Sequence, residues 1–99
     1  MSDDFFALPA FKPDEALQQL KRTLRDLRVL TERGNGFELK GASVVALVVD
    51  GAAINAKLAK RPSRSSAEWD AFTLSASPEV RKFSDEVKRR LARWTEEER

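Results

Sequence analysis

The chain contains no cysteine, no histidine and no tyrosine among its 99 residues. The absence of cysteine excludes disulfide bridges, thiol nucleophiles and cysteine-bound zinc. The absence of histidine removes the side chain that most often binds transition metals and acts as a general base near neutral pH. The sequence therefore predicts no metal site, no cofactor and no catalytic residue, and we expect that the chain is not an enzyme.

Long apolar runs are also missing. The longest uninterrupted one, Val44 to Val49, is far shorter than the roughly 20 residues that a membrane-spanning helix needs. The N-terminal residues Met1 to Asp4 are acidic, whereas a secretory signal begins with a basic segment. The sequence therefore predicts a cytoplasmic chain with no membrane partner.

The composition is that of a folded domain, since 41% of the residues are apolar, 34% are charged and the net charge is only +2. A chain of 99 residues has room for a single hydrophobic core. We divide it into an apolar N-terminal arm, residues 1–12, and a single α+β domain, residues 13–97.

Two amphipathic helices are predicted. The first opens at Pro13 or Asp14 and ends before Gly34, and its leucines recur at intervals of three and four residues, the spacing of one helix face. The second opens with Ser77 as its N-cap and Pro78 at the first helical position. Their apolar stripes, which we expect to be core, are Leu17, Leu20, Leu24, Leu27 and Leu30 in the first helix and Val80, Phe83, Val87, Leu91 and Trp94 in the second.

Strands are predicted between the helices. Alternating polarity favours a short strand at 37–40, and the β-branched segment Ser43 to Val49 favours a central strand covered on at least most of both faces. Asp50-Gly51 indicates a hairpin turn. Residues 52–61 fit a strand or an alanine-rich helix, and the turn favours the strand; a further strand fits Glu68 to Leu74. The order α-β-β-β-β-α predicts a three- or four-stranded antiparallel meander with both helices on one face.

Two patterns that resemble catalytic or ligand-binding sites have structural explanations. Glu68 and Asp70 flank Trp69 and resemble a carboxylate pair, but such spacing is typical of a solvated strand face. Residues 34–36, Gly-Asn-Gly, lack the lysine and the following helix of a phosphate-binding loop. We interpret them as a turn.

Basic side chains suggest one possible surface for nucleic acid. Several recur at helical spacing on the first predicted helix, and others surround the predicted loop at residues 62–66. They would provide sequence-independent contacts to phosphates. The candidate contacts are Lys21, Arg25, Arg28, Lys60, Arg61 and Arg64.

Aromatic side chains suggest a surface for a protein. Phe5, Phe6 and Phe11 lie in the N-terminal arm, which would either pack on its own core or dock on a partner. Trp69 lies on a predicted edge strand, and tryptophan is enriched in interface hot spots. We therefore expect a non-catalytic protein-interaction or self-associating domain, with a protein partner or a homodimer, and weak nucleic-acid binding as the alternative.

Overall fold

The computed structural model describes residues 11–63 and 68–97. Two helices flank five strands in chain order. These are α1 (Pro13–Arg25), β1 (Leu30–Arg33), β2 (Gly36–Leu39), β3 (Ala42–Asp50), β4 (Ala53–Ala59), β5 (Trp69–Leu74) and α2 (Ser77–Glu97). Most of the predicted N-terminal arm, residues 1–10, lies outside the described residues.

The strands form one antiparallel sheet in the order β1-β2-β3-β4-β5, so each strand pairs with its neighbour in the sequence. Helix α1 packs on α2 and on the sheet, and α2 packs on β5. This architecture confirms the predicted α+β meander with both helices on one face. The strand interpretation of residues 52–61 is also confirmed, because β4 spans Ala53–Ala59.

A fifth strand was missed because the first helix is shorter than predicted. Helix α1 ends at Arg25. Two turns follow, in which the Leu27 N–H donates to the carbonyl of Leu24 (3.1 Å) and the Leu30 N–H to that of Leu27 (2.8 Å). Leu30 then opens β1 and stays buried. The spacing of Leu30 from the helical leucines fits a continued helix equally well. The sequence pattern therefore did not indicate the change from helix to strand.

Strand β3 is central, but the prediction that at least most of both its faces is covered is wrong. The pairing of β2 with β3 shifts register, and Val44 is the extra residue between Ser43 and Val45. This bulge explains why the adjacent Val44 and Val45 are both buried. On the outer face, Val48 is 57% exposed.

Three hairpin turns contain residues with positive φ, and the first of them, between β1 and β2, has Gly34 with φ of 61°. Lys40 and Gly41 have φ of 52° and 87°, as a type I′ turn between two paired strands requires. The predicted turn at Asp50-Gly51 lies one residue further along, because Asp50 pairs with Ala53 across Gly51 and Ala52. Gly51 takes the first turn position with φ of 62°.

The core lies between the inner face of the sheet and the two helices. Both predicted helical stripes contribute to it, and Trp94, only 3% exposed, is a core residue as predicted. The inner face supplies Phe37, Leu47, Ile54, Leu58 and Leu74. The opposite face of the sheet carries no helix of the described part of the chain.

Candidate protein-interaction site

The two edges of the sheet differ in length and charge. Strand β1 has four residues, of which Glu32 and Arg33 are charged. Strand β5 has six, and Asp70 is its single charged residue. Natural sheets protect their edges with short strands, charges, prolines or bulges. β5 has no bulge in its register and no proline, so it is the less protected edge.

The free backbone groups of β5 follow from its pairing with β4. The Lys60 N–H donates to the carbonyl of Glu68 at 2.9 Å, in the register that also pairs Leu58 with Asp70. In an antiparallel pair, hydrogen-bonded positions alternate with positions whose backbone groups point away. The N–H and C=O groups of Trp69, Ala71 and Thr73 therefore point away from β4, and no strand of residues 11–63 or 68–97 pairs with them.

An open groove of about 810 Å³ runs beside this edge, between β5 and α2. Phe72 and Phe83 are among its lining residues, with ring centroids 5.2 Å apart and planes at 70°, the edge-to-face arrangement that aromatic pairs favour. The groove thus combines an aromatic pair with charged side chains along the helix. The charged lining residues are Glu79, Lys82, Asp85, Glu86, Arg89 and Arg90.

One guanidinium fixes α2 against the end of the β4–β5 hairpin. Arg90 Nε donates to Glu86 Oε2 at 2.8 Å, Nη2 donates to Asp70 Oδ2 at 2.8 Å, and Nη1 donates to the carbonyl of Ala59 at 3.0 Å. Lys60 adds a weaker contact to Asp70 at 3.8 Å. Arg90 therefore links one turn of the helix to both strands.

The same contacts favour the charged form of Arg90. Burial alone disfavours the charged form, but the hydrogen bonds to Glu86 and Asp70 outweigh it and raise the pKa of Arg90 above its ordinary value. Asp70 therefore belongs to an ion-pair network. Its interpretation as part of a solvated strand face was wrong, because its side chain points to α2 with Phe72 and Leu74.

Glu79 in the first turn of α2 binds Ser75 ahead of the helix, and the prediction of Ser77 as N-cap was wrong by one residue because the helix already begins at Ser77. Glu79 Oε1 accepts hydrogen bonds from the Ser75 N–H at 2.7 Å and the Ser75 Oγ at 3.0 Å. These bonds, the backbone bond first, lower the pKa of Glu79. A carboxylate in this first turn also interacts favourably with the helix dipole.

The bonds between Ser75 and Glu79 give α2 a predictable response to acid. Because the pKa of Glu79 is lower in the folded chain, its contribution to stability is fully present above the unfolded-state pKa. The contribution is lost as pH falls through the folded-state value. We expect Glu79→Gln to reduce stability at neutral pH, with the difference from wild type shrinking towards acid. Urea unfolding of both chains at several pH values checks this; a difference independent of pH would contradict it.

The aromatic candidates are placed differently by the structure. Trp69 lies at the start of β5, opposite Ala59, and is half-buried against the core. Phe11 is also half-buried against the core. Phe5 and Phe6 lie outside the described residues. Trp69 is therefore on a sheet edge as expected, and its role in binding stays a prediction.

The basic candidates lie in two groups near opposite edges of the sheet. Glu32 of β1 binds both Lys21 (3.6 Å) and Arg25 (3.1 Å), and Arg28 is exposed in the following turn. Lys60 contacts Asp70. Arg61 is exposed beside Lys60, and Arg64 lies outside the described residues. Nucleic-acid binding stays a prediction that these contacts do not test.

Other kinds of site find no support in the described ranges. Residues 11–63 and 68–97 hold no group of three or more side chains arranged to bind a metal ion. None of their helices is long and apolar enough to cross a membrane. The chain matches no protein-family model, no curated protein and no solved structure. The groove and the free edge of β5 are thus the features from which a function can be argued.

Proposed function

We propose that the chain is a non-catalytic protein-interaction domain that binds an extended segment by strand addition to β5. The observation that carries this proposal is the outer edge of β5, with which no strand of residues 11–63 or 68–97 pairs. Trp69, Ala71 and Thr73 present outward-facing backbone groups on a strand that is longer than β1 and carries one charged residue where β1 carries two. Main-chain hydrogen bonds would supply affinity, as in other cases of strand addition.

The groove supports the same proposal because it lies where alternate side chains of an added strand would point. Side chains of neighbouring strands share faces in register. An added strand would therefore direct every second side chain towards the groove at Phe72 and Phe83. Its other side chains would extend the outer face next to Ala71 and Thr73. We expect selectivity for an apolar residue beside Phe72, which is half-buried.

A peptide selection tests the proposed function. Wild type, Thr73→Pro and Thr73→Val are used at dilute concentration to select binders from a library of random peptides. Proline at this position removes an outward N–H and no bond to β4, whereas valine retains the N–H. We expect peptides that bind wild type and Thr73→Val but not Thr73→Pro.

The folded state of each variant is checked by circular dichroism and thermal unfolding. Should Thr73→Pro fail to fold, Ala71→Lys takes its place, because it puts a charge on the exposed edge and leaves the backbone unchanged. Selection of no peptide, or of peptides that bind the blocked and unblocked chains equally, contradicts the proposed function.

A further inference from the structure

We propose that the segment bound at β5 is the β5 strand of a second copy, so that two chains join edge to edge about a two-fold axis beside Phe72. This inference rests on the proposed function and names its partner. Three observations support it. They are the register that β5 allows with itself, the direction of α2 along the groove, and the order of charges on α2.

The register of β5 suits pairing with itself. In an antiparallel pair, opposite residues share a face. When Phe72 lies opposite Phe72 of the second copy, Asp70 lies opposite Leu74 and Ala71 opposite Thr73. Each pair shares a face, and no like charges meet. Ala71 and Thr73 also carry outward backbone groups, so they can exchange hydrogen bonds across the axis.

Helix α2 runs antiparallel to β5 along the groove. The ring of Phe83 contacts that of Phe72, and Arg90, further along the helix, binds Asp70, earlier in the strand. The middle of the groove-facing part of α2 therefore lies beside Phe72. A two-fold axis at Phe72 would bring the two α2 helices side by side in opposite directions.

The charges on α2 are complementary to themselves in that arrangement. Of the charged groove residues, Arg90 is bound to Asp70 of its own chain. Reversing the helix about Ser84 places Glu79 opposite Arg89 of the second copy and Lys82 opposite Glu86, while Asp85 lies opposite Phe83. Glu79 and Glu86 thus each meet a base, and no like charges lie opposite each other. This self-complementarity is what an interface using one patch on both subunits requires.

Sedimentation equilibrium over a wide concentration range tests the dimer. We expect wild type to form dimers, and Thr73→Pro to weaken their association about tenfold or more. Thr73→Val should dimerise like wild type. Ala71→Lys gives a second blocked edge should the proline variant fail to fold. A wild-type chain that stays monomeric at every concentration overturns the inference, as does a dimer insensitive to both blocking variants.

Charge reversal on α2 tests the pairing of the helices. Lys82→Glu places an acid opposite Glu86 of the second copy, and two such contacts occur per dimer, so we expect weakening of several-fold to tenfold at low salt. Lys88→Glu is the matched control, because Lys88 is exposed on the same helix and does not line the groove. Equal effects of the two variants would contradict the inferred pairing.

The absence of cysteine from the chain allows the register to be tested with single introduced thiols. The register predicts a mixed disulfide between an Ala71→Cys chain and a Thr73→Cys chain, because opposite Cα atoms in a hydrogen-bonded pair lie about 5.5 Å apart. Homodisulfides should form more slowly. Failure of the mixed disulfide to form preferentially contradicts the register.

The two proposals fail in different ways. If wild type is monomeric and binds selected peptides at β5, the second copy is not the partner, and the proposed function is still supported. A monomer for which no peptide is selected contradicts both. A salt-dependent complex with DNA or RNA formed instead of a dimer would favour the alternative of nucleic-acid binding.

Discussion

Replacing Arg90 by alanine is expected to lower the free energy of unfolding by about 2–4 kcal/mol. Charge-assisted hydrogen bonds are worth roughly 1.5–3 kcal/mol each. Their loss leaves Asp70 and the Ala59 carbonyl without their partner on α2. The side chain of Arg90 is only 13% exposed, so water compensates little. For a domain of this size the melting temperature should fall by roughly 10–25 °C.

Two further variants separate the bonding geometry from the charge. Arg89→Ala removes the adjacent arginine, whose 69% exposed side chain makes its ion pair with Glu86, and should cost about 0–1 kcal/mol. Arg90→Lys retains the charge but cannot reach all acceptors at once, so its loss should be intermediate. Chemical unfolding at dilute concentration provides the values. Equal losses for the Arg89 and Arg90 alanine variants would contradict the role given to Arg90.

Replacing Phe83 by alanine is expected to cost about 3–5 kcal/mol, since it empties a buried site and removes an aromatic pair. Phe83 is 1% exposed and contacts Phe72 beneath the groove. This loss is a large share of the roughly 5–15 kcal/mol that stabilises a typical domain. The variant should also bind an added strand more weakly, because Phe83 supports Phe72 in the groove.

Phe83→Leu is the control that keeps most of the buried volume. It should cost about 1–2 kcal/mol, because the site stays largely filled while the edge-to-face contact is lost. Urea unfolding of the three chains checks the order, wild type above Phe83→Leu above Phe83→Ala. An alanine variant as stable as the leucine variant would show that Phe83 is not a closely packed part of the core.

Local patterns in the sequence were enough to predict most of the fold. The apolar spacing that predicts α2 is satisfied by the burial of Phe83, Val87 and Trp94. The same reasoning missed β1, because Leu30 would be buried both in a continued helix and in a turn followed by a strand. It also missed the bulge at Val44, where two adjacent buried valines resemble a strand covered on both faces.

The candidate site was harder to predict because it depends on contacts between distant residues. Trp69 was correctly expected on an edge strand, but the role of Asp70 depends on Arg90, which lies twenty residues away. The sequence did contain one signal for the orientation of Asp70, because Asp70, Phe72 and Leu74 alternate along the strand and therefore share a face. The groove and the free edge follow from the position of β5 in the sheet and from the path of α2, which no local pattern specifies.

Residue-resolved amide hydrogen exchange, measured at dilute and high protein concentration, tests the central claim most directly. In the isolated chain the N–H groups of Ala71 and Thr73 point away from β4, so they should exchange quickly, while the N–H of Phe72 exchanges slowly. With a bound strand, whether a second copy or a selected peptide, the account predicts that Ala71 and Thr73 become protected. Fast exchange of both under every condition would contradict it.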